Sequence, residues 1–188
     1  MADQEAISIF FRVFPREGQP RVTDAAVGWL IKNGYFDAPA SMNTHMNCHG
    51  GLFQHSFNVC NTLLVLTKNL QLVWQDKESP MIIGMFHDLC KIDQYRQGKG
   101  GYEYVNTTLT GHGEKSIMLL STLMQLTEEE MYCIRFHMGA FSDSGKERTT
   151  YLDAVKKYPN VLFTHTADVY AGNVLEIHND SKSDVIAQ

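Results

Sequence analysis

The run from Gly50 to Leu70 constrains this chain more than any other segment. Its apolar residues Leu52, Phe53, Phe57, Cys60, Leu63, Leu64 and Leu66 recur at mixed three- and four-residue intervals, the pattern of a helix with a wide buried face. Such a face has to be covered, and the rest of the chain supplies further segments of the same kind. Thr23 or Asp24 can cap a helix running to about Lys32, where Asn33-Gly34 supplies the stop. Ser79-Pro80 opens another with serine as cap, its core face being Ile82, Ile83, Phe86 and Leu89, and His87 and Asp88 fall in its last turns. Thr110 can cap a helix carrying Ile117, Leu120 and Leu123. Thr127 and Glu130 form a capping box for the next, expected to run through His137 to Gly139. After a polar loop from Ser142 to Thr150, helices are expected over Tyr151 to Tyr158 and from Pro159 through Val174.

The stretch Ile92 to Asn106 breaks this pattern. Tyr95, Tyr102, Tyr104 and Val105 flank Gly98-Lys99-Gly100-Gly101, which predicts a small hairpin or loop. Residues 35 to 49 read as irregular, and Ile7 to Val13 as a short strand or helix packed on the body. The expected architecture is therefore all-α, a helical bundle with a small hairpin or loop insertion. It is expected as one domain over 1–188, with a core from about 22 to 178, an N-terminal extension over 1–20 and a flexible tail over 179–188.

Composition fits that reading and removes some functions. The 188 residues are 44% hydrophobic, enough for one core. A formal charge of -5 argues against a broad basic surface for duplex nucleic acid. The most apolar stretch, Val59 to Trp74, is interrupted by Asn61, Lys68, Asn69 and Gln71, well short of the roughly 18 uninterrupted apolar residues of a membrane span. Cys48, Cys60, Cys90 and Cys133 form no C-x-x-C pair and no signal peptide is evident, so reduced thiols in a cytoplasmic protein are expected.

The chemistry lies in histidine and aspartate. His55 sits inside the Gly50–Leu70 helix, and His87-Asp88 follow in the next, where a long imidazole and a short carboxylate can lean toward one ion. His112 begins its helix, where the positive end of the dipole favours the neutral imidazole that a metal needs. His137 lies near the end of the following helix. Asp168 is embedded in the apolar last helix, where an unpaired carboxylate is expensive.

This ordered set, H…HD…H…H…D, resembles the HD-domain superfamily of metal-dependent phosphohydrolases. The likeness covers about residues 45 to 172 and includes Gly-Gly-Leu-x-x-His-Ser, His-Asp-x-x-Lys, Gly-His and a late Ala-Asp. The resemblance implies that His55, His87, Asp88 and Asp168 hold one divalent metal, and that Asp88, bridging, holds a second with His112 and His137. One or two ions per chain follow, with iron, manganese, zinc, nickel and magnesium all open. It also implies hydrolysis of a phosphoester by a metal-activated hydroxide, with catalytic roles for Asp88 and Lys91. The substrate expected is small and phosphorylated, a nucleotide or short oligonucleotide. Two other readings stay open: a di-iron oxygenase of HD type, and a non-catalytic, metal-stabilised binding module.

Some departures narrow the choice. Cys90 replaces the glycine common in His-Asp-x-Gly-Lys and reads as packing. Lys91-Ile92 stands where the superfamily's alarmone hydrolases carry an acidic pair, and the Gly-Tyr-Pro run of the cyclic dinucleotide class is missing. The Gly-Gly-Leu-x-x-His-Ser run is similar to that of bacterial exoribonucleases, but the nucleic-acid-binding domain they add does not fit in this length.

Other residues keep two readings each. Lys91 can offer its ammonium to a substrate phosphate or simply be solvated. His165 can support the site or be a satisfied helix histidine. His45, Cys48 and His49 can form a separate zinc site or an ordinary loop, and His178 reads as solvated. Arg96, Lys99, Lys115, Arg135, Lys146 and Arg148 can make a positive rim, and Tyr95, Tyr102 and Tyr104 can stack on a base or pin the insertion to the body.

Overall fold

The computed structural model describes residues 3–18, 20–42, 46–109, 111–140 and 145–177. His45, Thr110, Ser142, His178 and the 179–188 tail lie outside the described residues, as do the readings made for them. The chain is mostly helical, with eight α-helices among the described residues: α1 Gln4–Val13, α2 Asp24–Lys32, α3 Gly51–Leu70, α4 Ser79–Phe86, α5 His112–Ser121, α6 Glu128–Arg135, α7 Gly145–Lys157 and α8 Asn160–Tyr170. Strands β1 Tyr95–Gly98 and β2 Gly101–Tyr104 pair antiparallel as the hairpin read from the sequence. No described helix is long and apolar enough to cross a membrane.

The long helix α3 is the hub, packing on α4 and α8, while α6 packs on both α8 and α5. Gly84 shows why α3 and α4 come so close: a Cβ there would lie 2.4 Å from Cα of Cys60. Only glycine lets the two backbones meet, and this crossing brings His55 of α3 toward His87 just past α4. Leu52, Val59, Cys60 and Leu63 of α3 are buried with Ile82, Ile83, Met85 and Phe86 of α4.

Several boundaries differ from the sequence reading. Residues 3–18 belong to the core rather than to an extension, and of the two readings for Ile7 to Val13 the helix holds: α1 is capped by the Asp3 side chain, and Phe10 and Phe14 pack against Phe86. Ser79 is the first residue of α4 rather than its cap, and its hydroxyl donates to Glu130 at 2.8 Å. A buried acceptor outcompeted the local capping role. The α4 helix ends at Phe86, so His87 is its C-cap and Asp88 precedes a 3-10 turn over Leu89–Asp93. Likewise α6 ends at Arg135, leaving His137 in the turn beyond it, which reverses at Gly139 with φ of 75°. The polar residues 145–150 belong to α7, whose exposed face tolerates them. The Thr127–Glu130 capping box forms as read.

Candidate metal centre

His55, His87, Asp88 and Asp168 converge where α3, the end of α4 and α8 meet. Nε2 of His55 lies 3.3 Å from Nε2 of His87, 3.1 Å from Oδ1 of Asp168 and 3.7 Å from Oδ2 of Asp88. Nε2 of His87 lies 3.5 Å from Asp88 Oδ2 and 3.7 Å from Asp168 Oδ1. The histidines and Asp88 are buried, and Asp168 keeps 19% of its side chain exposed.

Nitrogen and oxygen ligands about 2.0–2.2 Å from one ion, at right to tetrahedral angles, stand about 2.8–3.6 Å apart. Three of the five separations fall in that range, and the two of 3.7 Å lie just beyond it. The Nδ1 of His87 donates to the carbonyl of Gly84 at 3.0 Å, and that of His137 to the carbonyl of Ile134 at 2.7 Å. With Nδ1 protonated in this way, Nε2 is the ring atom left to ligate. Three overlapping groups can therefore hold a metal ion: His55, His87 and Asp88; His87, His137 and Asp168; and Asp88, Cys90 and His112.

Asp88 divides its two oxygens. Oδ2 faces His55, His87 and Lys91, whereas Oδ1 lies 3.4 Å from Nε2 of His137. A carboxylate placed in this way can bridge two ions. His112 is less closely joined than the resemblance implied. It shares a group with Asp88 and Cys90 but none with His137, and its Nδ1 is 3.4 Å from Sγ of Cys90. Cys90 thus does more than pack, although burial pushes its thiol up to about 12 and keeps it protonated.

The charges balance locally. Burial opposes ionisation of His55, but its hydrogen bonds to Asp168 and Glu176 prevail and raise it to about 9. Burial likewise opposes the charged form of His137, and Asp88 outweighs it and raises the pKa. For Asp88, burial raises the pKa, yet Lys91, His87 and His137 together hold the carboxyl well below its ordinary range. His55 and His87 do the same for Asp168. Burial lowers the pKa of half-buried His112.

Lys91 is not solvated. Its side chain is 12% exposed and its ammonium lies 2.6 Å from Oδ2 of Asp88. His165 holds the turn that carries His137, its Nδ1 lying 2.8 Å from the His137 carbonyl oxygen. Its ring also packs where a Cβ on Gly139 would sit. Among the described residues Cys48 and His49 join no metal group, and His49 pairs with Asp37 instead. Three of the six residues read as a basic rim are paired with carboxylates: Arg96 with Glu103, Lys115 with Asp93 and Arg135 with Glu114.

Glu176 escaped the sequence reading. It is fully buried, with Oε1 2.9 Å from Nδ1 of His55 and 3.1 Å from the Asn58 amide that donates to it. Eight residues of regular α-helix would turn Glu176 about 80° from the face of Asp168. A π turn over Ala171–Leu175, closed by Glu176 N–H donating to the Ala171 carbonyl, advances each residue by less. Both carboxylates therefore face His55. No model of a known family, no curated protein and no solved structure matches the chain.

Proposed function

We propose that this chain is a divalent-metal-dependent phosphohydrolase with an HD-domain type of helical core, acting on a small phosphorylated substrate such as a nucleotide. The observation that carries the reading is the convergence of His55 and His87, with Nε2 atoms 3.3 Å apart, on Asp88 and Asp168, whose oxygens lie 3.1–3.7 Å from those nitrogens. The order of these residues along the chain adds to it. Histidine and carboxylate donors suit iron, manganese, zinc, nickel or magnesium.

In this reading His55, His87, Asp88 and Asp168 hold one ion, and Asp88, through its other oxygen, serves a second position with His137 and His112. A bound divalent cation supplies a Lewis acid for a phosphoryl oxygen and lowers the pKa of a coordinated water toward about 7. The protein does the rest. Gly84, Ile134 and Glu176 fix the imidazole rings through their Nδ1 atoms, so that the ligating nitrogens need no reorganisation. Burial of Asp88 and the histidines keeps bulk water away and strengthens the local field. Lys91 holds Asp88 ionised and stands one hydrogen bond from the cluster, placed to exchange that contact for a substrate phosphate.

The test is turnover of phosphomonoesters, phosphodiesters and nucleotides after chelation and after addition of each candidate metal. Metal-restored hydrolysis that is absent in Asp168→Ala supports the proposal. Bound metal with no hydrolysis of any of these substrates overturns it.

A further inference from the structure

Cys90 brings a third kind of donor to the edge of the candidate centre. It follows Asp88 by two residues, in the 3-10 turn over Leu89–Asp93, and its Sγ lies 3.4 Å from Nδ1 of His112 at the start of α5. Sulfur about 2.3 Å and nitrogen about 2.0–2.1 Å from one ion, at right to tetrahedral angles, stand about 3.0–3.6 Å apart. A thiol hydrogen-bonded to an imidazole has the same separation. That hydrogen bond does not account for the third member: Asp88, Cys90 and His112 each offer a ligand atom, all within 4.8 Å of one another.

The backbone holds this trio in place. The Cys90 N–H donates to Oγ of Ser116 at 3.0 Å, and Ser116 lies one turn after His112 on the same face of α5. A Cβ on Gly113 would lie 2.6 Å from Cα of Arg135, so the start of α5 is set hard against the end of α6. The 3-10 turn and the first turn of α5 are thereby fixed to each other. Room remains on one side, where a cavity of about 100 Å3 has both Cys90 and His112 in its wall. It is large enough for the water or phosphoryl oxygen that would complete a four-coordinate ion. Lys115 also lines the cavity, with its ammonium engaged by Asp93 and Thr107.

We propose that Cys90 is a metal ligand, and that with Asp88 and His112 it builds a second position whose sulfur selects zinc, or another thiophilic ion, over magnesium and manganese. Binding removes the thiol proton to solvent, and the resulting thiolate donates to the ion. Carboxylate and imidazole alone leave the hard ions open, whereas thiolate favours the softer ones. The two positions then differ in metal preference, because His55, His87 and Asp168 supply no sulfur to the first. The proposal rests on the metal-binding part of the proposed function, with Asp88 bridging, and not on hydrolysis.

The experiment is titration of the metal-free full chain with cobalt(II), read by absorbance. Thiolate bound to cobalt gives an intense near-ultraviolet charge-transfer band that imidazole and carboxylate do not. The parent is expected to show this band and to lose it on adding zinc but not on adding magnesium. Cys48→Ser, which removes the exposed thiol, should keep the band. Cys90→Ser should lose it while still binding cobalt at the first position. Circular dichroism checks that the variants fold, and His112→Ala, at a less buried site, carries the same expected loss if Cys90→Ser does not fold. Bound cobalt without the band in the parent overturns the proposal and leaves the first position standing. A band that magnesium removes, that vanishes in Cys48→Ser, or that persists in folded Cys90→Ser or His112→Ala overturns it as well. No bound cobalt at all overturns the metal reading with it, whereas a band that depends on Cys90 without any hydrolysis overturns the hydrolase reading alone.

Discussion

Oε1 of Glu176 lies 2.9 Å from Nδ1 of His55, across 121 residues of chain, while Nε2 of the same ring lies 3.1 Å from Asp168. One imidazole is thus clamped between two carboxylates carried by one continuous helical segment. A carboxylate behind a ligating histidine fixes its tautomer and raises its basicity.

Glu176→Gln keeps the shape and removes the charge. The expected result is a roughly 10- to 100-fold loss of metal affinity, read by competition with a chelating dye, with helix content unchanged. Parent-like affinity would mean that packing alone orients His55.

Lys91→Met removes the ammonium beside Asp88 and leaves much of the stem. Metal content should persist, because Lys91 is not a ligand, while kcat/KM falls roughly 10- to 100-fold with loss of a charged hydrogen bond to the substrate phosphate. Unchanged kcat/KM would limit Lys91 to neutralising Asp88.

The pH dependence follows from His55, whose pKa is raised in the folded chain from 6.5 to about 9. A raised pKa contributes stability that is fully present below about pH 6.5 and is lost as the pH rises through about 9. A metal ion must displace the same protons, so its affinity should rise across this window. Melting curves should show the metal-free protein losing stability from pH 6.5 to 9 while the stabilisation on adding manganese grows. A metal effect that stays flat over this range would contradict the assignment.

Glu130 ties three elements together. Fully buried, it accepts from two nitrogens of Arg21 at 2.7 Å each, from Ser79 Oγ at 2.8 Å and from the Thr127 N–H at 2.8 Å. Glu130→Ala breaks the capping box and takes the two-pronged partner from Arg21, whose side chain is 21% exposed and keeps Asp76 at 3.4 Å and the Gln125 carbonyl at 2.9 Å. The expected cost is about 3 kcal/mol by urea unfolding, the low end for breaking a buried pair. A loss under about 1 kcal/mol would show that water replaces the carboxylate readily.

Period and caps made most of the helices legible. Thr23, the Thr127–Glu130 box and the apolar spacing of α3 are local signals, and the structure follows them. What was hidden depends on tertiary partners. Ser79 gave up capping for Glu130, and the helices carrying His87 and His137 stop one or two residues before those histidines. The closeness of His55 and His87 to Asp88 and Asp168 is what the resemblance implied, whereas the pairing of His112 with Cys90 left no signal in the sequence. Glu176 was invisible because regular helical geometry points it elsewhere, and the π turn that redirects it leaves no pattern in one sequence.

The most direct test of the metal centre is elemental analysis of the purified chain after reconstitution, beside Asp88→Ala. The parent should retain one or two divalent metal ions per chain, and Asp88→Ala, which removes the carboxylate facing both positions, should lose them. A folded parent that holds no metal after reconstitution, or an Asp88→Ala protein that holds as much as the parent, would contradict the account.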